Sequence, residues 1–145
     1  MKKCITLLIL TIPVFVFCQS ISADKLISYS KFQDLKIIAN DLDRKGFITN
    51  FDNEHLGAVK TEDSKTASEV IYCEIVTEKN IFSVVYQTPI YYDKIKKELI
   101  NSKSKYLKTE AGITFYDNAT YRTGFNDSQK TIAIYTRSEE HTSEL

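Results

Sequence analysis

Two runs of β-branched and aromatic residues, Val70 to Thr77 and Ile81 to Thr88, flank the polar triplet Glu78, Lys79 and Asn80. No other feature narrows the fold as much, because such runs favour extended backbone and a short polar break between them favours an antiparallel hairpin. Side chains alternate between the two faces of a strand. Ile71, Cys73 and Ile75 therefore share one face of the first strand, and Phe82, Val84 and Tyr86 share one face of the second. Both faces are apolar and can line a core. Three more strand signals follow at Ile113 to Tyr116, Ala119 to Phe125 and Thr131 to Thr136, separated by turn residues at Asp117-Asn118 and Asn126-Asp127-Ser128.

Helical periodicity brackets these strands. From Ser30 to Lys45 the apolar residues Phe32, Leu35, Ile38, Ala39 and Leu42 recur at steps of three and four, which predicts an amphipathic helix. A second helix is predicted from Thr88-Pro89, an N-cap and N1 pair, through Tyr92, Ile95, Leu99 and Tyr106 to about Lys108. The polar stretch Glu54 to Ser68 reads as a loop with a short strand near Ala58 to Thr61. The expected class is α+β: two helices packed on one face of a mainly antiparallel sheet, in the order α-β-β(-β)-α-β-β-β. That order suggests two copies of an α-then-hairpin unit, with too little residue identity to call a sequence repeat.

The N-terminus carries Lys2 and Lys3, an apolar run from Cys4 to Cys18, and polar residues from Gln19. This three-part plan is that of a secretory signal peptide. The run falls short of the about 20 apolar residues needed to span a bilayer. Val16 and Cys18 meet the cleavage rule, which makes residues 1–18 the signal and Gln19 the first mature residue. Lipidation of Cys18 is the alternative, and the bulky Phe17 before it argues against that. At the other end, residues 137–145 (RSEEHTSEL) resemble a translated sequencing-adapter oligonucleotide and are expected to be non-native. Arg137, Glu139, Glu140, His141 and Glu144 are accordingly left out of any site.

What remains, residues 19–136, is one domain's length of chain. Acidic and basic residues balance, 19 against 19 over the whole chain, so no strong field draws nucleic acid or an acidic ligand. Cys73 is the one cysteine left after signal removal, and no intrachain disulfide is expected. On a strand between Ile71 and Ile75, it is expected to be a buried, inert thiol.

The segments SVVYQTPIYYDKIKKELI and ITFYDNATYRTGF resemble small exported proteins of flavobacteria-like bacteria. The resemblance implies a strand leading into a helix and then a tyrosine-rich β-meander, and a Gram-negative periplasm or the exterior as location. It carries no activity, catalytic residue or cofactor.

The stretch DLDRKGFITNFD, residues 41–52, has the spacing of a calcium loop: Asp41 and Asp43 at positions one and three, Gly46 at six, Asp52 at twelve. Lys45 at position five puts an ammonium where an oxygen belongs, and Asp52 is shorter than the usual glutamate. The competing expectation is a helix stop, with Gly46 at the left-handed C′ position and Leu42 and Phe47 at C3 and C″. His55 beside Glu54 is the one candidate acid-base pair, and it lacks a placed nucleophile.

Lysines 94, 96, 97, 103, 105 and 108 are expected on a solvated helix surface. Tyrosine favours both antiparallel sheets and recognition surfaces, and Tyr72, Tyr86, Tyr116 and Tyr121 fall in or beside strands. They are the candidate ligand-binding residues. The functional expectation is a small exported binding or interaction module without catalysis or cofactor, meeting a protein or glycan at the cell envelope. A calcium-stabilised module and a small hydrolase using Glu54 and His55 are the alternatives.

Overall fold

The computed structural model describes residues 21–61, 68–79 and 81–136; the expected signal peptide, the adapter-like tail and part of the loop before Ser68 lie outside them. The elements run α1 (Ala23–Phe32), α2 (Leu35–Arg44), β1 (Ile48–Phe51), β2 (His55–Lys60), β3 (Glu69–Val76), β4 (Ile81–Gln87), α3 (Tyr92–Leu99), β5 (Lys105–Glu110), β6 (Ile113–Asp117), β7 (Tyr121–Asn126) and β8 (Thr131–Thr136), with one 3-10 turn at Thr77–Lys79. All eight strands form one sheet in the order β1-β2-β3-β4-β8-β7-β6-β5, and every ladder is antiparallel. The class is α+β.

The hairpin signal is met by β3 and β4, which pair Ile71 with Tyr86, Cys73 with Val84 and Ile75 with Phe82. Those residues lie on the face that the helices cover. Leu56 and Ala58 of β2, Ile132 and Ile134 of β8 and Phe125 of β7 join them in a single core with Leu26 and Tyr29 of α1, Ile38 and Leu42 of α2, and Ile95 and Leu99 of α3. Two charged side chains are buried on the same face: Glu69, hydrogen-bonded by the Tyr86 hydroxyl, and Lys60, whose ammonium lies over the Phe47 ring.

Three expectations need correction. First, the single helix from Ser30 to Lys45 is two helices, because Gln33 adopts a left-handed backbone (φ 52°) and the Asp34 carboxylate accepts the amides of Lys36 and Ile37 as an N-cap. Phe32 ends α1 and is exposed. Second, α3 stops at Leu99 rather than near Lys108. There Ser104 Oγ donates to the Leu99 carbonyl at 3.2 Å, while the Ser104 amide donates to the Asn101 carbonyl at 3.0 Å, and the chain turns back into β5. Ala111 (φ 50°) and Gly112 (φ 77°) then make the two-residue turn into β6. Third, the short strand expected near Ala58 to Thr61 is β2 and starts earlier, at His55, and a further strand, β1, joins it through a turn in which Asp52 Oδ1 accepts the amides of Glu54 and His55. The observed order is thus two helices and a four-stranded meander, then one helix and a second four-stranded meander, with the halves meeting at β4 and β8.

Candidate functional site

The helices cover one sheet face, and among the described residues nothing covers the other. Cross-strand register arranges that open face in rows. The middle row reads Asn50, Gly57, Tyr72, Val85, Ala133, Gly124, Phe115 and Lys108 from one edge to the other. On one side of it lies an apolar stretch, Ile48, Val59 and Val70. On the other lies a polar row, His55, Glu74, Ser83, Tyr135, Arg122, Asp117 and Lys105.

Large apolar side chains stand in water here: Ile48 is 81% exposed, Val59 43% and Tyr72 39%. Contiguous exposed apolar surface of this kind marks interaction sites in soluble domains. Gly124 is the low point of the face. A Cβ there would lie 3.1 Å from the Phe115 ring and 3.2 Å from Ile113, so those two side chains already roof the glycine.

Of the candidate tyrosines, Tyr72 alone presents a ring to the open face. Partial burial, and then the carboxylates of Glu74 and Asp52, raise its phenol above the ordinary value. Tyr86 and Tyr121 are buried on the helix-covered side, where burial and the Glu69 hydrogen bond hold the Tyr86 phenol far up. Tyr116 packs edge-on against Phe125 on that same side, with ring centroids 5.9 Å apart. Tyr135 also stands on the open face, with its phenol raised by burial.

The polar row gathers charged and hydroxyl groups. His55 Nδ1 lies 3.3 Å from Asp52 Oδ1 and Nε2 lies 3.9 Å from Glu74 Oε1, while the Glu54 side chain takes no part in this cluster. Backbone amides of Glu54 and His55 hold the Asp52 carboxyl below its usual range. Ser83 sits one strand beyond Glu74. Two strand spacings, about 9.6 Å, therefore separate it from His55, too far for the imidazole to take its proton. Cys73 is fully buried, and burial pushes its thiol up to about 12, which removes the thiolate a nucleophile needs.

Asp41, Asp43 and Asp52 are not brought together. Asp41 accepts from the Tyr29 hydroxyl and pairs with Lys25 at 3.0 Å; Asp43 accepts from Thr49 Oγ1 at 2.6 Å; Asp52 caps the β1–β2 turn. No group of three or more His, Cys, Asp or Glu side chains suited to a metal occurs among the described residues. Gly46 instead closes α2: its φ is +85°, its amide reaches the Asp43 carbonyl at 3.0 Å, and the Phe47 amide reaches the Leu42 carbonyl at 3.1 Å. This is the Schellman pattern, with Leu42 and Phe47 both buried.

A cleft of about 460 Å³ lies on the helix side, where Lys25, Lys45 and Lys94 from three elements meet Glu98 beside Ile21 and Ile95. No helix among the described residues is long and apolar enough to cross a membrane. No family model, curated protein or solved structure matches the chain.

Proposed function

We propose that the protein is a small exported interaction module that works through the helix-free face of its sheet, docking a protein or glycan of the cell envelope there. The observation that carries this is the exposure of Ile48, Val59 and Tyr72 on one uncovered face, flanked by a row of charged and hydroxyl groups. An exposed apolar patch beside a polar row is the composition of a docking surface. Export is supported by the basic, apolar and polar succession of residues 1–19.

The hydrolase alternative loses its support from the Glu54 side chain, which takes no part in the His55 cluster, and from the burial of Cys73. A calcium-bound module loses its support from the three separate duties of Asp41, Asp43 and Asp52.

Photo-crosslinking distinguishes the open face from the rest of the surface. A crosslinking side chain placed at position 72 is expected to capture a defined envelope component. The same group at Ile37, exposed on α2, is expected to capture nothing specific. Equal labelling from both positions, or none from position 72, would rule the open face out as the working surface.

A further inference from the structure

Glu69 is 3% exposed, and its carboxyl is only half satisfied: Oε1 takes the Tyr86 hydroxyl, while Oε2 is buried without a hydrogen-bond partner. A buried polar atom left this way is costly, and it calls for a donor. None of the neighbouring groups supplies one. Lys60 stands opposite Glu69 in the β2–β3 ladder, but its ammonium lies over the Phe47 ring, 5.5 Å from the centroid, and gives Oε2 no hydrogen bond. Lys25 is held by Asp41 at 3.0 Å and Lys130 by Asp93 at 3.3 Å. The Thr88 hydroxyl, just past β4, turns to Tyr86 and to the Tyr91 amide.

Ile21 lies beside this oxygen. It is fully buried in the core, and its backbone amide reaches the same Tyr86 hydroxyl that bonds Glu69. Two hydrogen bonds in series, at about 2.9 Å each, put the Ile21 nitrogen within about 6 Å of the Glu69 carboxyl. The nitrogen of Gln19 stands two residues upstream, and two residues of extended chain span about 7 Å. It is within reach of Oε2.

Before the signal is removed, position 19 offers a peptide N–H and no charge. Hydrolysis of the Cys18–Gln19 bond takes up one water, leaves a carboxylate on Cys18 and gives Gln19 an α-amine that is mostly protonated at neutral pH. An ammonium brings three donors and the charge opposite to a carboxylate. That is the group Oε2 lacks.

We propose that Glu69 is the seat of the chain's own new N-terminus: once the signal is cut away, the Gln19 ammonium pairs with Glu69 Oε2 and pins the entry of α1 against β3 and β4. Until then the carboxyl stays incompletely paired. Removal of the signal is therefore also the step that tightens the fold. This rests on the export half of the proposed function and is independent of the open face.

Mass spectrometry and thermal melts of the exported, purified protein test it. The chain is expected to begin at an unblocked Gln19 whose α-amine reacts with an acylating reagent at neutral pH about tenfold or more slowly than that of a peptide with the same first residues. Glu69→Gln should restore the peptide's rate. One glycine inserted before Gln19 moves the ammonium out of its seat without touching Glu69, and should lower Tm by at least about 4 °C. The same insertion in Glu69→Gln should cost nothing further. An amine as reactive as the peptide's, an insertion that leaves Tm unchanged, or a Gln19 cyclised onto its own amine overturns the proposal. If the chain is exported and cut before Gln19 yet labels freely, export stands and the pairing falls. A lipid on Cys18 likewise keeps export and overturns the pairing, and a chain that is not exported overturns both.

Discussion

Asp41 illustrates how a residue whose type suggests metal binding can serve packing. Its carboxylate takes the hydroxyl of the buried Tyr29 and the ammonium of Lys25, which ties α1 to α2 across twelve residues of sequence. Partial burial pushes the carboxyl up, but the hydrogen bonds from Tyr29 and Lys25 outweigh it and leave the pKa lowered. Replacing Asp41 with alanine strands a buried phenol, and the expected loss is about 1–3 kcal/mol in urea unfolding at neutral pH. The pH dependence has a definite sign. A carboxyl lowered in the folded state stabilises above its unfolded pKa of about 3.9 and loses that contribution as acid titrates it through the lower folded value. The gap between wild type and Asp41→Ala should therefore narrow in acid, and a constant gap would show that the charged form is not the one held.

At the scale of elements, the close of α2 was readable because a glycine, two apolar flanks and a basic last turn fit a helix stop, whereas Lys45 stands where a calcium loop needs an oxygen. Gly46→Ala is expected to cost about 1 kcal/mol, since alanine must take the left-handed backbone that glycine takes freely. Thermal melts would measure it, and added calcium should shift neither protein. The β3–β4 hairpin was readable for a similar reason: period-two alternation in a half-buried strand leaves a mark. Edge strands leave less. Every residue of β5 is exposed, so no alternation betrays it, and its lysines and tyrosine pass for the continuation of α3. The break between α1 and α2 was hidden because Phe32 and Leu35 keep helical spacing across it, although Asp34 is a ready N-cap. The site was half legible. Tyr72 is visible as a strand tyrosine, but which tyrosines share its face depends on register, and register is set by partners far along the chain.

For the whole molecule, the two sheet faces divide the labour. Ile134 lies under the helices at the β4–β8 junction, fully buried, and Ile134→Ala should cost about 2–5 kcal/mol. Its neighbour Tyr135 points the other way. Tyr135→Ala should cost less in stability than Ile134→Ala, yet alter whatever docks on the open face; denaturant titration paired with a binding or sedimentation measurement separates the two. A larger stability loss at position 135 than at 134 would reverse the assignment of faces.

The single junction between the halves also bears on chain connectivity. Each meander is contiguous in sequence, and the halves share one ladder, β4 against β8, with α1 lying across both strands. Which half comes first is thus a property of the linkers rather than of the packing. A circular permutant that opens the chain between β4 and α3 and joins residue 136 to residue 21 keeps every ladder intact. The joining linker must run the length of β4, because Thr136 bonds Phe82 at one end of that strand while Ile21 lies beside Tyr86 at the other.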